Sequence, residues 1–155
     1  MVKITFVCLG NICRSPMAEG LMKKKVKDLG LERHFCIESR GTSSWEEGNP
    51  PHPKTIDILI RVGAILINKQ AQKISKEDVA NFDYLIAMDH DNIRELKQIF
   101  PEYSNKILLF RSINIHGKDL DVKDPYYSGK YEEVYEILDH DLDLWIEKFK
   151  QDLNI

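Results

Sequence analysis

The stretch that decides the fold is Val2-Lys3-Ile4-Thr5-Phe6-Val7-Cys8-Leu9-Gly10-Asn11-Ile12-Cys13-Arg14-Ser15-Pro16. Its first six residues are largely β-branched or aromatic and predict a strand. A glycine-containing turn, CLGNICRSP, follows at once. From Ser15 onward the apolar residues change period: Met17, Leu21, Met22, Val26 and Leu29 recur three to five residues apart, and Gly30 is a natural stop. The chain therefore opens with strand, tight turn and helix.

The same alternation continues outward from this start. Strands are predicted over residues 35–39, 83–88 and 106–110. Helices are predicted over residues 55–62, from about 92 to 100 with Asp89 as a cap, and over 131–153. Ser75-Lys76-Glu77-Asp78 reads as a capping box opening a short helix, with Asp in place of the usual Glu. A polar loop rich in Gly, Ser and Pro spans about residues 40–53, and a second loop holds Asp124-Pro125-Tyr126-Tyr127. Strands that alternate with helices imply an α/β fold: a single domain over residues 1–155, with an open, parallel, four-stranded sheet covered by helices on both faces, Rossmann-like in style. Such sheets hold their sites at the carboxyl ends of strands, where strand order reverses. The CLGNICRSP turn lies at such an end.

Composition narrows the function classes. Of 155 residues, 43% are hydrophobic and 30% charged, and the net charge is −3 from 22 basic and 25 acidic side chains. This balance gives no reason to expect nucleic acid or an anionic membrane as a partner. No apolar run approaches the roughly 18 residues of a membrane span, and the amino-terminal residues read as a strand rather than a signal peptide. Three cysteines do not make a disulfide framework, so a reducing cytoplasm is the expected location. His34, His52, His90, His116 and His140 show no metal-ligand spacing, and neither metal nor cofactor is expected.

The turn itself carries chemistry. A loop between a strand and a helix start aims several unpaired N–H groups at one point, and the helix dipole adds positive charge there. That makes an anion site. Gly10 and Asn11 tolerate the unusual dihedrals of such a cradle, and Arg14 offers a planar fork to two phosphate oxygens. The loop is not a nucleotide-binding P-loop, because GxxxxGK[ST] is absent. At its base stands Cys8. A thiol ringed by N–H dipoles and a guanidinium favours its thiolate form, and a thiolate under a bound phosphate is set for in-line attack on phosphorus. A cysteine at a strand end is more often a small buried hydrophobe. The pattern Cys-x5-Arg-Ser, framed by strand and helix, outweighs that reading.

These residues carry a family resemblance. The chain resembles the low-molecular-weight protein tyrosine phosphatases, which pair a Cys-x5-Arg-Ser/Thr loop near the amino terminus with an Asp-Pro loop near the carboxyl terminus. Here these are residues 8–15 and Asp124-Pro125. The resemblance covers nearly the whole chain, including Gly48-Asn49-Pro50-Pro51 and residues 83–89. It implies hydrolysis of phosphotyrosine, and of small aryl phosphates, through a phosphocysteine on Cys8. Arg14 would bind phosphate, with Leu9, Gly10, Asn11, Ile12 and Cys13 forming the cradle. Ser15 would donate a hydrogen bond to the Cys8 sulfur, and Ser39 would partner Asn11. Asp124 would act as general acid and then base. Asp-Pro is also a common turn opener and Asp119 and Asp121 lie close by, so it is the resemblance that selects Asp124. Trp45, Tyr126 and Tyr127 would wall a slot suited to a flat phenyl phosphate. Cys13 is either an apolar filler or a redox guard that captures oxidised Cys8 as a disulfide, and the resemblance favours the guard. Cys36 is assigned to packing. Phosphotyrosyl proteins are the implied partners and oxyanions the implied inhibitors; a monomer is expected, with a dimer left open.

Two departures from the family pattern stand out. Relatives carry His-x-Ala-Arg where this chain has Lys69-Gln70-Ala71-Gln72, and that histidine belongs to a buried network with an aspartate matching Asp89. Its loss leaves open whether Asp89 is more than a helix cap. Arg40 replaces a small residue and is expected to bring charge toward the site mouth. Two other functions remain in view. An arsenate reductase of the same fold needs downstream cysteines to relay a disulfide, and none follows Cys36. A non-catalytic phosphate-binding module would be expected to have lost Cys8 or Asp124.

Overall fold

Val2–Cys8 forms β1, the strand from which the rest of the architecture is organised. The computed structural model describes residues 1–117 and 119–155. After β1 come α1 over Arg14–Asp28, β2 over Phe35–Gly41, α2 over Pro53–Arg61, α3 over Lys76–Asn81, β3 over Tyr84–Ala87, α4 over His90–Ile99, β4 over Ile107–Leu109, α5 over Pro125–Ser128 and α6 over Tyr131–Leu153. The strands form one sheet in the order β2-β1-β3-β4. All pairings are parallel, with Val2 opposite Phe35, Ile4 opposite Tyr84 and Leu85 opposite Ile107.

A strand inside a parallel sheet is covered on both faces, which is why β1 lacks an apolar–polar alternation. Ile4 and Phe6 join Met17 and Met22 of α1 and Leu138, Trp145 and Phe149 of α6 in one core. Val7 joins Val79, Leu85, Leu96 and Phe100 in a second core beneath α3 and α4. On α6 the fully buried stripe Leu138, Leu142, Trp145, Phe149 has helical spacing, and the Trp145 indole N–H donates to the Phe110 carbonyl at 2.9 Å. The doubly covered sheet anticipated from the alternating elements is therefore the observed fold.

Every anticipated strand and helix is present, with ends displaced by no more than two residues. The Ser75–Asp78 capping box forms, and Asp89 and Asn92 form a second one at α4. Two local differences have physical causes. Helix α2 begins at Pro53, earlier than its apolar pattern implies, because the His52 imidazole accepts the Lys54 N–H at 3.1 Å and proline suits the first helical position. The Asp124 loop contains a single helical turn, α5, capped by the Asp124 carboxylate on the Tyr126 N–H at 3.0 Å.

The topology fixes where a site can lie. From β1 the chain crosses to β2 on one side and later to β3 on the other, so strand order reverses at the carboxyl end of β1. Cys8 is the last residue of that strand. No helix among the described residues is long and apolar enough to cross a membrane.

Candidate active site

The segment between β1 and α1 is a cradle held from outside. Its carbonyls accept from neighbouring chain: Cys8 O from Thr42 N at 2.9 Å, Leu9 O from both Ser43 N and Ser43 Oγ at 3.0 Å, and Ile12 O from His52 N at 2.8 Å. The amide N–H groups of residues 9–14 find no protein acceptor among the described residues, so they remain available to an anion. Helix α1 has no side-chain cap at its start, leaving its dipole directed at the same point. Of the two residues expected to take unusual dihedrals, Asn11 does so (φ 58°), while Gly10 is not among the residues with positive φ. Close approach is instead a matter for Gly41, where a Cβ would fall 2.8 Å from Leu9 O.

Cys8 is 3% exposed at the floor of this cradle, and its sulfur lies 3.0 Å from Ser15 Oγ. Arg14 is 2% exposed. Its Nη1 donates to Asp89 Oδ2 at 2.6 Å and to Val122 O at 2.8 Å. Its Nε is buried without a partner, and its Nη2 lies 3.6 Å from Asp124 Oδ2. Buried donors are rarely left unpaired. The Nε–Nη2 edge of the guanidinium is thus the free fork, suited to two oxygens of a phosphate. Burial acts to lower the Arg14 pKa, but Cys8, Asp89 and Asp124 outweigh it and hold the guanidinium charged. Asp89 therefore does two things. It caps α4, and it holds the Arg14 guanidinium, so it is more than a helix cap.

What replaces that histidine is Lys69. Asn11 Nδ2 donates to Ser15 Oγ at 2.8 Å and to Ser39 Oγ at 2.9 Å, and Asn11 Oδ1 accepts the Gln72 N–H at 3.0 Å. The Ser39 hydroxyl in turn donates a hydrogen bond to Glu19 Oε1 at 2.6 Å. Lys69 Nζ reaches Glu19 Oε1 at 3.1 Å and Ser39 O at 3.0 Å, and Lys23 holds the other Glu19 oxygen at 2.6 Å. Burial of Glu19 pushes its pKa up, yet Lys69 and Lys23 more than reverse this and hold it below the ordinary carboxylate range. Sequence reasoning named Asn11 and Ser39, met Lys69 only as a departure from the family pattern, and missed Glu19. The available signal was a glutamate on the apolar face of α1, two residues after Met17.

The Asp124 turn closes the other side. Cys8, Arg14, Asp124, Trp45, Tyr126 and Tyr127 border one cleft of about 210 Å³. Trp45, Tyr126 and Tyr127 are exposed, with Tyr126 edge-on to Tyr127 at 5.4 Å, so aromatic rings form the walls and polar groups the floor. Ile12 adds an aliphatic wall and Glu46 an acidic rim that the sequence reading did not single out.

Cys13 is buried, and its sulfur lies 3.3 Å from the Tyr131 hydroxyl. Burial pushes the Cys13 thiol up to about 12 despite that hydrogen bond, and burial likewise raises the Tyr131 phenol. All three cysteines are free thiols, and Cys36 is half-buried against the second core. Arg40 does not reach the mouth. The strand alternation turns it away, and it pairs with Asp78 at 3.1 Å and covers the Phe82 ring. Among the described residues no group of His, Cys, Asp and Glu is arranged to hold a metal ion.

Comparison with known proteins adds to this geometry. The family description "Low molecular weight phosphotyrosine protein phosphatase" matches residues 3–154. A Schizosaccharomyces pombe protein of that description is 44% identical over 83% of both chains. The Bacillus subtilis low molecular weight protein-tyrosine-phosphatase YfkJ is 41% identical over 89% of both. The crystal structure of YfkJ superposes with a TM-score of 0.95, covering 98% of this chain and 96% of the other.

Proposed function

The chain belongs to the low molecular weight phosphotyrosine protein phosphatase family, and from that membership we propose that residues 1–155 act as one phosphatase domain in which Cys8, Arg14 and Asp124 carry the reaction. The enzyme is a protein tyrosine phosphatase, a hydrolase. One observation carries the assignment of residues. The Cys8 sulfur, the Nε–Nη2 edge of Arg14, with Nε unpartnered and Nη2 3.6 Å from Asp124 Oδ2, and the Asp124 carboxylate face the same cleft.

The phosphoryl group sits in the cradle with its oxygens on the residue 9–14 amides and on the Arg14 fork. The Cys8 thiolate attacks phosphorus from below. An S–P bond forms, the P–O bond to the tyrosine ring breaks, and Asp124 gives its proton to the departing phenolate oxygen. In the second step Asp124 takes a proton from water, the water oxygen bonds to phosphorus, and the S–P bond breaks. Inorganic phosphate leaves and the thiolate is restored. The Ser15 hydroxyl, 3.0 Å from the sulfur, supports negative charge there at the start and at the end. The amides and Arg14 hold the three equatorial oxygens as charge spreads over them. The aromatic walls suit a phenyl ring and give the cleft the depth that phosphotyrosine fills.

Phosphotyrosyl proteins are the substrates and oxyanions the competitive inhibitors in this reading. It extends to a monomer in a reducing cytoplasm, where free Cys8 survives, and to Cys13 as the partner that traps oxidised Cys8. The test is hydrolysis of p-nitrophenyl phosphate in EDTA. Activity in the wild type, loss in Cys8→Ser and a severe fall in Asp124→Ala are expected; an inert wild type or an active Cys8→Ser overturns the reading.

A further inference from the structure

A second groove, of about 470 Å³, runs on from the catalytic cleft and shares Ile12, Glu46 and Tyr126 with it. Its far end is formed by Pro50, Ile56 and Asp57 where the chain enters α2. The floor is apolar, and the rim bears two carboxylates. Glu46 accepts only the Asn49 amide, at 2.8 Å. The cations of α2 are engaged elsewhere: Lys54 lies over the Tyr131 ring at 5.5 Å, and Arg61 forks onto Glu132 at 2.6 Å. Neither Glu46 nor Asp57 forms an ion pair among the described residues. The groove wall is stiff. His52 is stacked on Tyr131 at 5.0 Å, faces Tyr126 edge-on at 6.2 Å, and uses its Nδ1 to cap α2.

We propose that this groove is a substrate subsite that takes a lysine or arginine side chain close in sequence to the phosphotyrosine. The proposal rests on the phosphatase reading and deepens it. A basic side chain fits both features of the groove. Its methylene stem covers apolar surface such as Ile12 and Ile56 while its charged head reaches water and the carboxylates. A free aryl phosphate has nothing to occupy the groove, and an acidic neighbour meets two uncompensated negative charges there. Continuity with the cleft at Ile12, Glu46 and Tyr126 means that a peptide whose phosphotyrosine is seated on Cys8 lies directly over the entrance.

The test compares kcat/KM for phosphotyrosyl peptides carrying lysine, alanine or glutamate at each of the three positions before and after the phosphotyrosine, with p-nitrophenyl phosphate alongside. Lysine at one of these positions is expected to be favoured over alanine by about fivefold, as for an exposed ion pair with added apolar contact. Glutamate there should be disfavoured, and the preference should shrink at high salt. Asp57→Asn should reduce the preference and Asp57→Lys should reverse it toward glutamate, with p-nitrophenyl phosphate turnover unchanged in both. Asp57 is exposed on α2, so folding is not at issue. Equal rates for all peptides overturn the subsite, as does a basic preference that survives Asp57→Lys. Loss of p-nitrophenyl phosphate turnover in the wild type would instead strike the phosphatase reading.

Discussion

Lys69 Nζ stands 3.1 Å from the Glu19 carboxylate, so a single ammonium ties the loop before α3 to the buried side of α1 beneath the β1–α1 cradle. Glu19 is 2% exposed, and Ser39 and Asn11 extend the contact to the loop itself. A buried carboxylate is tolerable only while it is paired.

Lys69→Met therefore leaves Glu19 with Lys23 alone. The expected cost in urea unfolding is about 3 kcal/mol, accompanied by a lower kcat, while Lys69→Arg should recover most of both. The pH dependence follows from the lowered Glu19 pKa. Because the folded value is depressed, its stabilisation is complete above the unfolded value of about 4.3 and is lost as pH falls through the folded value. Melting temperature against pH should accordingly fall less steeply on the acid side in Glu19→Gln than in the wild type.

Asp124 is held as the cap of a one-turn helix with its carboxylate beside Arg14. Its value depends on how badly the leaving group needs a proton. Asp124→Asn should slow turnover of both substrates, because the second step loses its base, but the first step should slow by about 10² to 10⁴ for phosphotyrosine and much less for p-nitrophenyl phosphate, since nitrophenolate departs without help. The rate of leaving-group release in the first turnover, followed by stopped flow for the two substrates, checks this, and an equal loss on both in that step would remove the general-acid role.

Ser15 Oγ contacts the Cys8 sulfur and is itself held by Asn11. Ser15→Ala should lower kcat by about a hundredfold with little change in KM. The second step should suffer most, because there the sulfur must depart as thiolate. A larger ratio of the nitrophenol burst rate to the steady-state rate than in the wild type, read by stopped flow, is the expected signature.

Cys13 is buried, with its thiol pushed up to about 12. It should therefore resist alkylation in the folded protein at neutral pH. If peroxide converts Cys8 to a sulfenic acid, attack by Cys13 displaces hydroxide and forms the disulfide, at a rate that rises with pH because the thiolate is the attacking species. Peroxide-treated wild type should regain activity with dithiothreitol. Cys13→Ala should not, and mass spectrometry of the two proteins distinguishes disulfide from sulfinic acid.

The sequence was most legible where local rules act alone. The β1–α1 junction announced itself through a change of period, and the capping box at Ser75 through local side-chain chemistry. The pieces that escaped notice depend on partners far along the chain. Glu19 and Lys69 are 50 positions apart, and nothing local to either marks a buried ion pair. Asp89 displayed its capping role in sequence but not its contact with Arg14, 75 positions away. Arg40 was misplaced for a different reason: strand alternation decides which way it points, and it turns toward Asp78.

Arg14 donates to Val122 O, and Val122 N in turn donates to Met88 O at 2.8 Å. Arg14, proposed above to bind phosphate, is thereby one of the ties that hold the approach to Asp124 against the end of β3. A molecule that has let its carboxyl-terminal third come loose loses the acid and slackens the arginine in the same event. No half-competent species is expected: in a urea titration, residual turnover should track the folded fraction point for point, making catalysis a direct gauge of cooperativity in this chain.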